Sequence, residues 1–268
     1  MKQFGFHVFI DSMFTEPAYD LLSFLLKNSS MFTKGRKRLI SRRIKAVEDY
    51  FKVKFINCSN FPPDIIWQDY FQVDSFIPKS NSNVVDVGAN IGDWAVIVGK
   101  CFSANVVAIE PVPSAFDCLL TNLQVNSLTS RVIAINCALG ERAGFKKFEI
   151  DRKRGYANAT NVYKVTMSQD SEDQYPLDTM DNVVDRLSLE SVDLVKIDVE
   201  GSEFDVLKGC RKTIDKYKPK FIIEVHSPAL KESVLNFFYE CGYSLLFEKV
   251  NFCRTHLLIS VLYLLPPS

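Results

Sequence analysis

Charge imbalance is missing from this chain. Over 268 residues, 32 Lys+Arg stand against 32 Asp+Glu. A zero total argues against a general polyanion binder and against an acid-coated protein, although it can hide two opposed local fields. Glycine and proline are scarce, at 11 each, which excludes collagen-like and low-complexity compositions. A hydrophobic fraction of 47% excludes disorder over most of the length. The seven cysteines contain no C-x-x-C pair, are odd in number, and sit mostly in apolar runs. They read as small buried thiols of a reducing compartment rather than a disulfide set. Long hydrophobic runs are missing too. Leu257 to Leu265 is too short to span a bilayer as a helix. The apolar N-terminus is broken by His7 and Asp11 with no cleavage site after it, so no signal peptide is expected. These absences predict a cytoplasmic protein with no transmembrane segment.

What is present changes in texture near residue 80. The first 80 residues hold twelve Lys+Arg and eight Asp+Glu. Leu21, Leu22, Leu25 and Leu26 fit a helical stripe, as do Leu39, Ile40, Ile44, Val47 and Phe51. Asp64 stands where it can cap a helix running to about Gln72. Pro78 to Asn83 is a polar linker. The chain is therefore expected to divide into a helical N-terminal extension, 1–80, and a second domain, 81–268.

After the linker, short apolar runs alternate with helical stretches. Strands are expected at Asn83–Val87, Asn105–Glu110, Arg131–Cys137, Val192–Asp198 and Lys220–His226. Helices are expected at Gly92–Phe102, Pro113–Asn126, Glu203–Tyr217 and Pro228–Cys241. Alternation of this kind predicts an α/β fold with βαβ units and a mostly parallel sheet. Two last strands, Tyr243–Glu248 and about His256–Tyr263, have a short connection and should pair antiparallel. Residues 140–190 read as less regular. Within them, Ala143–Met167 fits a β-hairpin inserted after the third strand, which would place Tyr156 and Asn158 near a substrate.

The most informative stretch is Asp86-Val87-Gly88-Ala89-Asn90-Ile91-Gly92, a buried strand running into a small-residue turn and a helix. Glycine at 88 lets a ligand approach the backbone closely. In open α/β sheets, ligands bind where such strands end. The spacing is G-x-x-x-G, without the dinucleotide or P-loop signatures, so pyrophosphate cradling is not favoured. Asp86 is a candidate for attracting a positive ligand group. Glu110 ends the second strand, and a carboxylate there can accept both hydroxyls of a ribose. Together the turn and the acid predict a nucleoside site.

These residues carry a resemblance. Asp86–Gly92, then Ile109-Glu110-Pro111, Cys137-Ala138-Leu139-Gly140, Lys196-Ile197-Asp198-Val199-Glu200-Gly201-Ser202-Glu203 and Ile223-Glu224-Val225-His226 are similar to the motifs of FkbM-type methyltransferases. Thr179-Met180-Asp181 also fits an element of that family. The resemblance covers about residues 80–226. It implies a Rossmann-like, seven-stranded, mostly parallel sheet with one antiparallel strand. It implies S-adenosylmethionine as cofactor and a hydroxyl oxygen as acceptor. By position, Gly88, Ala89, Asn90 and Gly92 would line the methionine and ribose. Glu110 would hold the ribose hydroxyls. Pro111 and Val112 would border the adenine, with Cys137, Ala138 and Leu139 on its other face.

Asp198, Glu200, Glu203 and His226 form the polar constellation beside that site. His226 is the preferred catalytic base, since an unperturbed histidine titrates near neutral pH. Asp198 would face the sulfonium or the acceptor hydroxyl. Glu200 joins them as a catalytic candidate. Glu203 would bind substrate or simply start a helix. If a divalent metal takes part, Asp198 and Glu200 are its candidates, but their spacing is not a dedicated metal motif.

Seven basic residues fall between Lys34 and Lys45, while 168–205 holds twelve acids against Arg186 and Lys196. The acidic stretch includes the candidate active site, which argues against nucleic acid as a partner there. A sugar, a glycan or another polyhydroxylated small molecule is the expected acceptor. The alternative is a non-catalytic nucleoside- or RNA-binding module that uses the basic N-terminal helix.

Overall fold

The computed structural model describes residues 45, 47–56, 70–150, 165–167, 174–252 and 258–267. Contacts divide the chain into two units, Met1–Val53 and Lys54–Ser268. In the first, residues 47–51 are helical, with Val47 and Phe51, four apart, both buried. This matches the end of the stripe read from Leu39. Lys45 pairs with Asp49 at 3.3 Å on the exposed side. The earlier stripes and Lys34 to Arg43 of the basic run lie outside the described residues.

The second unit is built on Val- and Ile-rich strands. They are β1 (Asn83–Val87), β2 (Asn105–Ile109), β3 (Val132–Ile135), β4 (Ala138–Leu139), β5 (Gly144–Ile150), β6 (Val165–Met167), β7 (Gln174–Asp178), β8 (Leu194–Ile197), β9 (Lys220–Val225), β10 (Ser244–Phe252) and β11 (Leu258–Leu265). The helices are α1 (Asp93–Cys101), α2 (Pro113–Val125), α3 (Met180–Arg186), α4 (Glu203–Lys208), α5 (Arg211–Tyr217) and α6 (Pro228–Glu240). A 3-10 turn at Asp74–Phe76 precedes β1 and buries Phe76.

The main sheet runs β10-β11-β9-β8-β1-β2-β3. Neighbours from β9 to β3 pair parallel. β11 pairs antiparallel with both β9 and β10. This is the seven-stranded sheet with one antiparallel strand that the sequence predicts. Its central strands are apolar without alternation because crossover helices cover both faces. Val85, Val195, Ile197 and Phe221 of the sheet share one core with Val206, Leu207, Val234 and Phe238 of the helices. Each such side chain contributes about 1.5–3 kcal/mol on burial.

The insertion after β3 is richer than a hairpin. β5 pairs antiparallel with β6 and β7, and β4 joins in parallel, giving a sheet of order β4-β7-β5-β6. Tyr156 and Asn158 lie outside the described residues. Helix α3 stands in the stretch read as irregular, capped by Thr179, whose hydroxyl accepts from Asn182 N at 3.1 Å.

The single helix expected over Glu203–Tyr217 is broken into α4 and α5. The cause is Gly209, whose missing Cβ would sit 2.0 Å from the Gly140 carbonyl oxygen. Asp181 then restarts the helix, its carboxylate accepting from Lys212 N (3.1 Å), Thr213 N (2.8 Å) and Thr213 Oγ1 (2.7 Å). The Thr179-Met180-Asp181 element thus caps two helices.

Cys137, Cys210 and Cys241 are free thiols, while Cys118 is disulfide-bonded. The reading of seven thiols fails at Cys118, because pairing depends on which residues the fold brings together. Among the described residues no helix is long and apolar enough to cross a membrane.

Candidate active site

Four parallel strands end on one edge of the sheet, and each delivers a candidate residue there. Gly88 directly follows β1, Glu110 follows β2, Asp198 follows β8, and His226 follows β9. Gly88 turns the chain with φ +78, and a Cβ on it would lie 1.8 Å from the Asp198 carbonyl oxygen. Only glycine lets β1 and β8 close at this level. The amides of Gly88 and Ala89 both donate to Ile109 O at 3.0 Å. Gly92 then leads into α1, with its amide on Ala89 O at 2.7 Å.

Glu110 knits that turn to the second strand. Its Oε2 accepts from Asn90 N at 2.9 Å and its Oε1 from Val112 N at 2.8 Å. Burial pushes its carboxyl up to about 7, against the lowering effect of these two amides and of Lys196. Asn136 Nδ2 donates to the carbonyls of Glu110 and Pro111, at 2.8 and 3.2 Å. Gly88, Asn90 and Pro111 are half-buried, whereas Ala89, Val112, Cys137, Ala138 and Leu139 are buried. Burial also raises the Cys137 thiol to about 11, so it is an inert wall.

Asp86 finds its cation within the chain. It is fully buried, with Lys196 Nζ 3.1 Å from its Oδ1. Burial raises its carboxyl above the ordinary range, against the pull of Lys196. Lys196 also donates to Gly88 O at 3.2 Å and lies 3.9 Å from Asp198 Oδ2. Burial opposes its charge, but Asp86 and Asp198 outweigh that and hold the ammonium well above its usual range.

His226 is gripped by acids. Its Nδ1 is 2.7 Å from Glu203 Oε1, and its Nε2 is 3.5 Å from Glu200, 3.5 Å from Glu224 and 3.8 Å from Asp198. Burial works against the charged ring. The Glu203 hydrogen bond and the field of Glu200, Glu203 and Asp198 prevail and push its pKa up to about 10. The direction favours a ring protonated at both nitrogens. Such a ring has no lone pair to offer, which weighs against the base role expected for His226. Glu203 is fully buried, orients that ring, and accepts from Gly201 N at 2.9 Å, so it belongs to the frame of the site.

Asp198, Glu224 and His226 turn ligand-type atoms toward one point, all within 4.8 Å. The imidazolium already supplies positive charge there, and no metal ligand set is assigned. Asp198 and Glu200 remain partly exposed.

Three participants escape sequence reading in whole or in part. Lys196 carries a signal, since a lysine inside the buried run Leu194–Ile197 needs a partner. Glu224 alternates with apolar neighbours in its strand, and the groups beside it are His226 and Tyr70. Tyr70, whose hydroxyl lies 2.9 Å from Asp198 Oδ2 and 2.6 Å from Glu224 Oε2, gives no signal at all.

Comparison with known proteins gives the family. The Methyltransferase FkbM domain matches residues 86–245. Methyltransferase sdnD of Sordaria araneosa is 30% identical over 178 residues, covering 56% of this chain and 68% of its own. Hexuronic acid methyltransferase AglP of Haloferax volcanii is 30% identical over 168 residues, covering 62% of this chain and 65% of its own. The crystal structure of Methyltransferase FkbM from Methylobacillus flagellatus KT superposes with a TM-score of 0.52 at 18% identity. That match covers 73% of this chain and 47% of the other, so this chain spans about half of that protein's length. A domain match over more than half of the chain, centred on the strand ends just described, makes this protein a member of the FkbM methyltransferase family.

Proposed function

We propose that this methyltransferase takes the methyl group from S-adenosylmethionine and places it on a hydroxyl of a sugar or another polyhydroxylated small molecule or glycan. The observation that carries this reading is the pairing of the Gly88 turn and Glu110 with the acid cluster of the neighbouring strand ends. The printed name of the Haloferax relative, a hexuronic acid methyltransferase, supports a sugar acceptor. Cytoplasmic residence belongs to the same proposal.

In this reading Gly88, Ala89, Asn90 and Gly92 line the methionine and ribose, while Pro111, Val112, Cys137, Ala138 and Leu139 enclose the adenine. S-adenosylmethionine supplies an electrophilic methyl group on a sulfonium. The chain must hold the acceptor oxygen in line with it and remove the hydroxyl proton. Alignment is the larger effect, worth about 7–11 kcal/mol. A positioned base adds about 10²–10⁴-fold. With His226 already protonated, Asp198 is the base, and the imidazolium steadies it. Glu200 is placed to accept from further acceptor hydroxyls.

Glu110 makes the donor half testable. Each of its oxygens already accepts one amide, and an ionised carboxylate has room for one more donor on each. Ribose hydroxyls can use those sites only when the carboxyl is ionised, and its pKa stands at about 7. Donor affinity should therefore weaken as pH falls from 8 to 6, by about tenfold. Glu110→Gln should bind weakly at both pH values. Calorimetric titration with S-adenosylhomocysteine reads both, and an affinity of the native chain that ignores pH would remove Glu110 from the ribose.

A further inference from the structure

We propose that Tyr70 completes the reacting centre from outside the parallel sheet, linking Asp198 and Glu224 into a unit that takes up the acceptor's proton. This rests on the O-methylation reading above.

Tyr70 precedes β1, and its ring is buried over Lys196, with Nζ 5.1 Å from the ring centroid. Its hydroxyl bridges two different strands, at 2.9 Å from Asp198 Oδ2 and 2.6 Å from Glu224 Oε2. A phenol has one hydrogen to donate. It cannot donate to two carboxylates at once. Both contacts are hydrogen bonds only when one carboxyl also carries a hydrogen and gives it to the phenol oxygen. With a single hydrogen among the three groups, one contact is satisfied and the other sets two oxygen lone pairs against each other. Uptake of one proton turns that second contact into a hydrogen bond. The arrangement therefore stabilises the state in which a proton has arrived.

The charges around the unit suit the same task. Lys196 lies 3.9 Å from Asp198 Oδ2, and His226 Nε2 lies 3.8 Å from Asp198 and 3.5 Å from Glu224. These two cations face the acids. Glu200, Glu203, Asp86 and Asp93 are further acids acting on His226 and Lys196. Glu224 and Tyr70 are buried, while Asp198 is only partly buried. Asp198 is thus the member that meets the acceptor. In the transfer, the acceptor's oxygen bonds the methyl carbon as the carbon–sulfur bond breaks and its electron pair stays on sulfur. The hydroxyl proton passes to Asp198, which then donates it in a hydrogen bond to the Tyr70 oxygen, while the Tyr70 hydrogen stays on its own oxygen and donates to Glu224. Tyr70 is a positioning residue acting through Asp198.

The test uses the full chain, with two variants. Tyr70→Phe removes the bridge and keeps the ring. Glu224→Gln keeps an acceptor for the Tyr70 hydrogen but cannot take a proton. Infrared titration with S-adenosylhomocysteine bound follows the carboxylic-acid band. Its protonation step should move down by about one pH unit in Tyr70→Phe and also move down in Glu224→Gln, which removes a neighbouring negative charge. With S-adenosylmethionine and glucuronic acid as probe, both variants should lose about tenfold or more in kcat, with KM for the donor little changed. A protonation step unaltered in Tyr70→Phe, or full turnover in Glu224→Gln, overturns the proposal. If the native chain binds donor and leaves glucuronic acid untouched, the acceptor reading fails, and the infrared shift still decides the role of Tyr70. Should Tyr70→Phe fail to fold, Glu224→Gln carries the decision alone.

Discussion

Lys196→Met should lower the unfolding free energy by about 3–5 kcal/mol, the usual cost of removing one partner from a buried ion pair. Lys196 sits on β8 with its ammonium enclosed, and Asp86 on β1 is fully buried beside it at 3.1 Å. Without the lysine, Asp86 loses the cation that offsets its burial. The Gly88 carbonyl loses its donor as well. The loss has a ceiling, because Asp86 already has a raised pKa and can neutralise itself by taking a proton. Adding Asp86→Asn removes the orphaned charge, so the double variant should recover much of the stability. Denaturant unfolding of the three proteins measures this. A loss below about 1 kcal/mol for Lys196→Met would mean an exposed, weakly coupled pair.

The second large effect belongs to His226. Its pKa is raised from the ordinary 6.5 to about 10 in the folded chain, because the Glu203 hydrogen bond and the surrounding acids outweigh burial. A group raised in this way adds stability that is fully present below its ordinary pKa and is lost as pH rises through the folded one. His226→Gln should therefore cost about 3 kcal/mol near pH 7, where it strands four carboxylates without their shared cation. The gap between native chain and variant should narrow as pH approaches 10. Unfolding curves at pH 7 and at pH 10 test the sign. A gap that is the same at both values would show that His226 is neutral in the fold.

Much of the β1–β2 edge of the candidate site is legible in the sequence alone. Gly88 stands out because a buried strand running straight into a small-residue turn needs a residue that tolerates left-handed backbone angles and close approach. Glu110 stands one step past an apolar run, where a strand end delivers its side chain to the ligand edge. The parallel sheet follows from alternating runs, and the antiparallel end from a short connection. The rest depends on distance in space. Tyr70 lies 128 residues from Asp198 and 154 from Glu224 in the chain, so nothing local marks it. His226 is marked by its place just past a strand end, but its raised pKa comes from Glu203, Glu200 and Asp198, which only the fold brings together. The break at Gly209 is set by the Gly140 backbone, again a contact invisible to helical periodicity.

The opposed fields inferred from composition resolve locally. The acids of the candidate site are answered by Lys196 and His226 rather than left as a bare negative surface. A neutral acceptor hydroxyl, or an acceptor carrying one modest charge, meets no uniform repulsion there.

S-adenosylmethionine is expected to bind over the ends of β1 and β2 with its methyl group turned toward Asp198, and every role assigned above depends on that placement. A crystal structure with S-adenosylhomocysteine tests it most directly. The homocysteine and ribose should lie over Gly88–Gly92, with both ribose hydroxyls on Glu110 and the sulfur facing Asp198. A ligand bound elsewhere on the sheet, or a ribose that leaves Glu110 untouched, would contradict it.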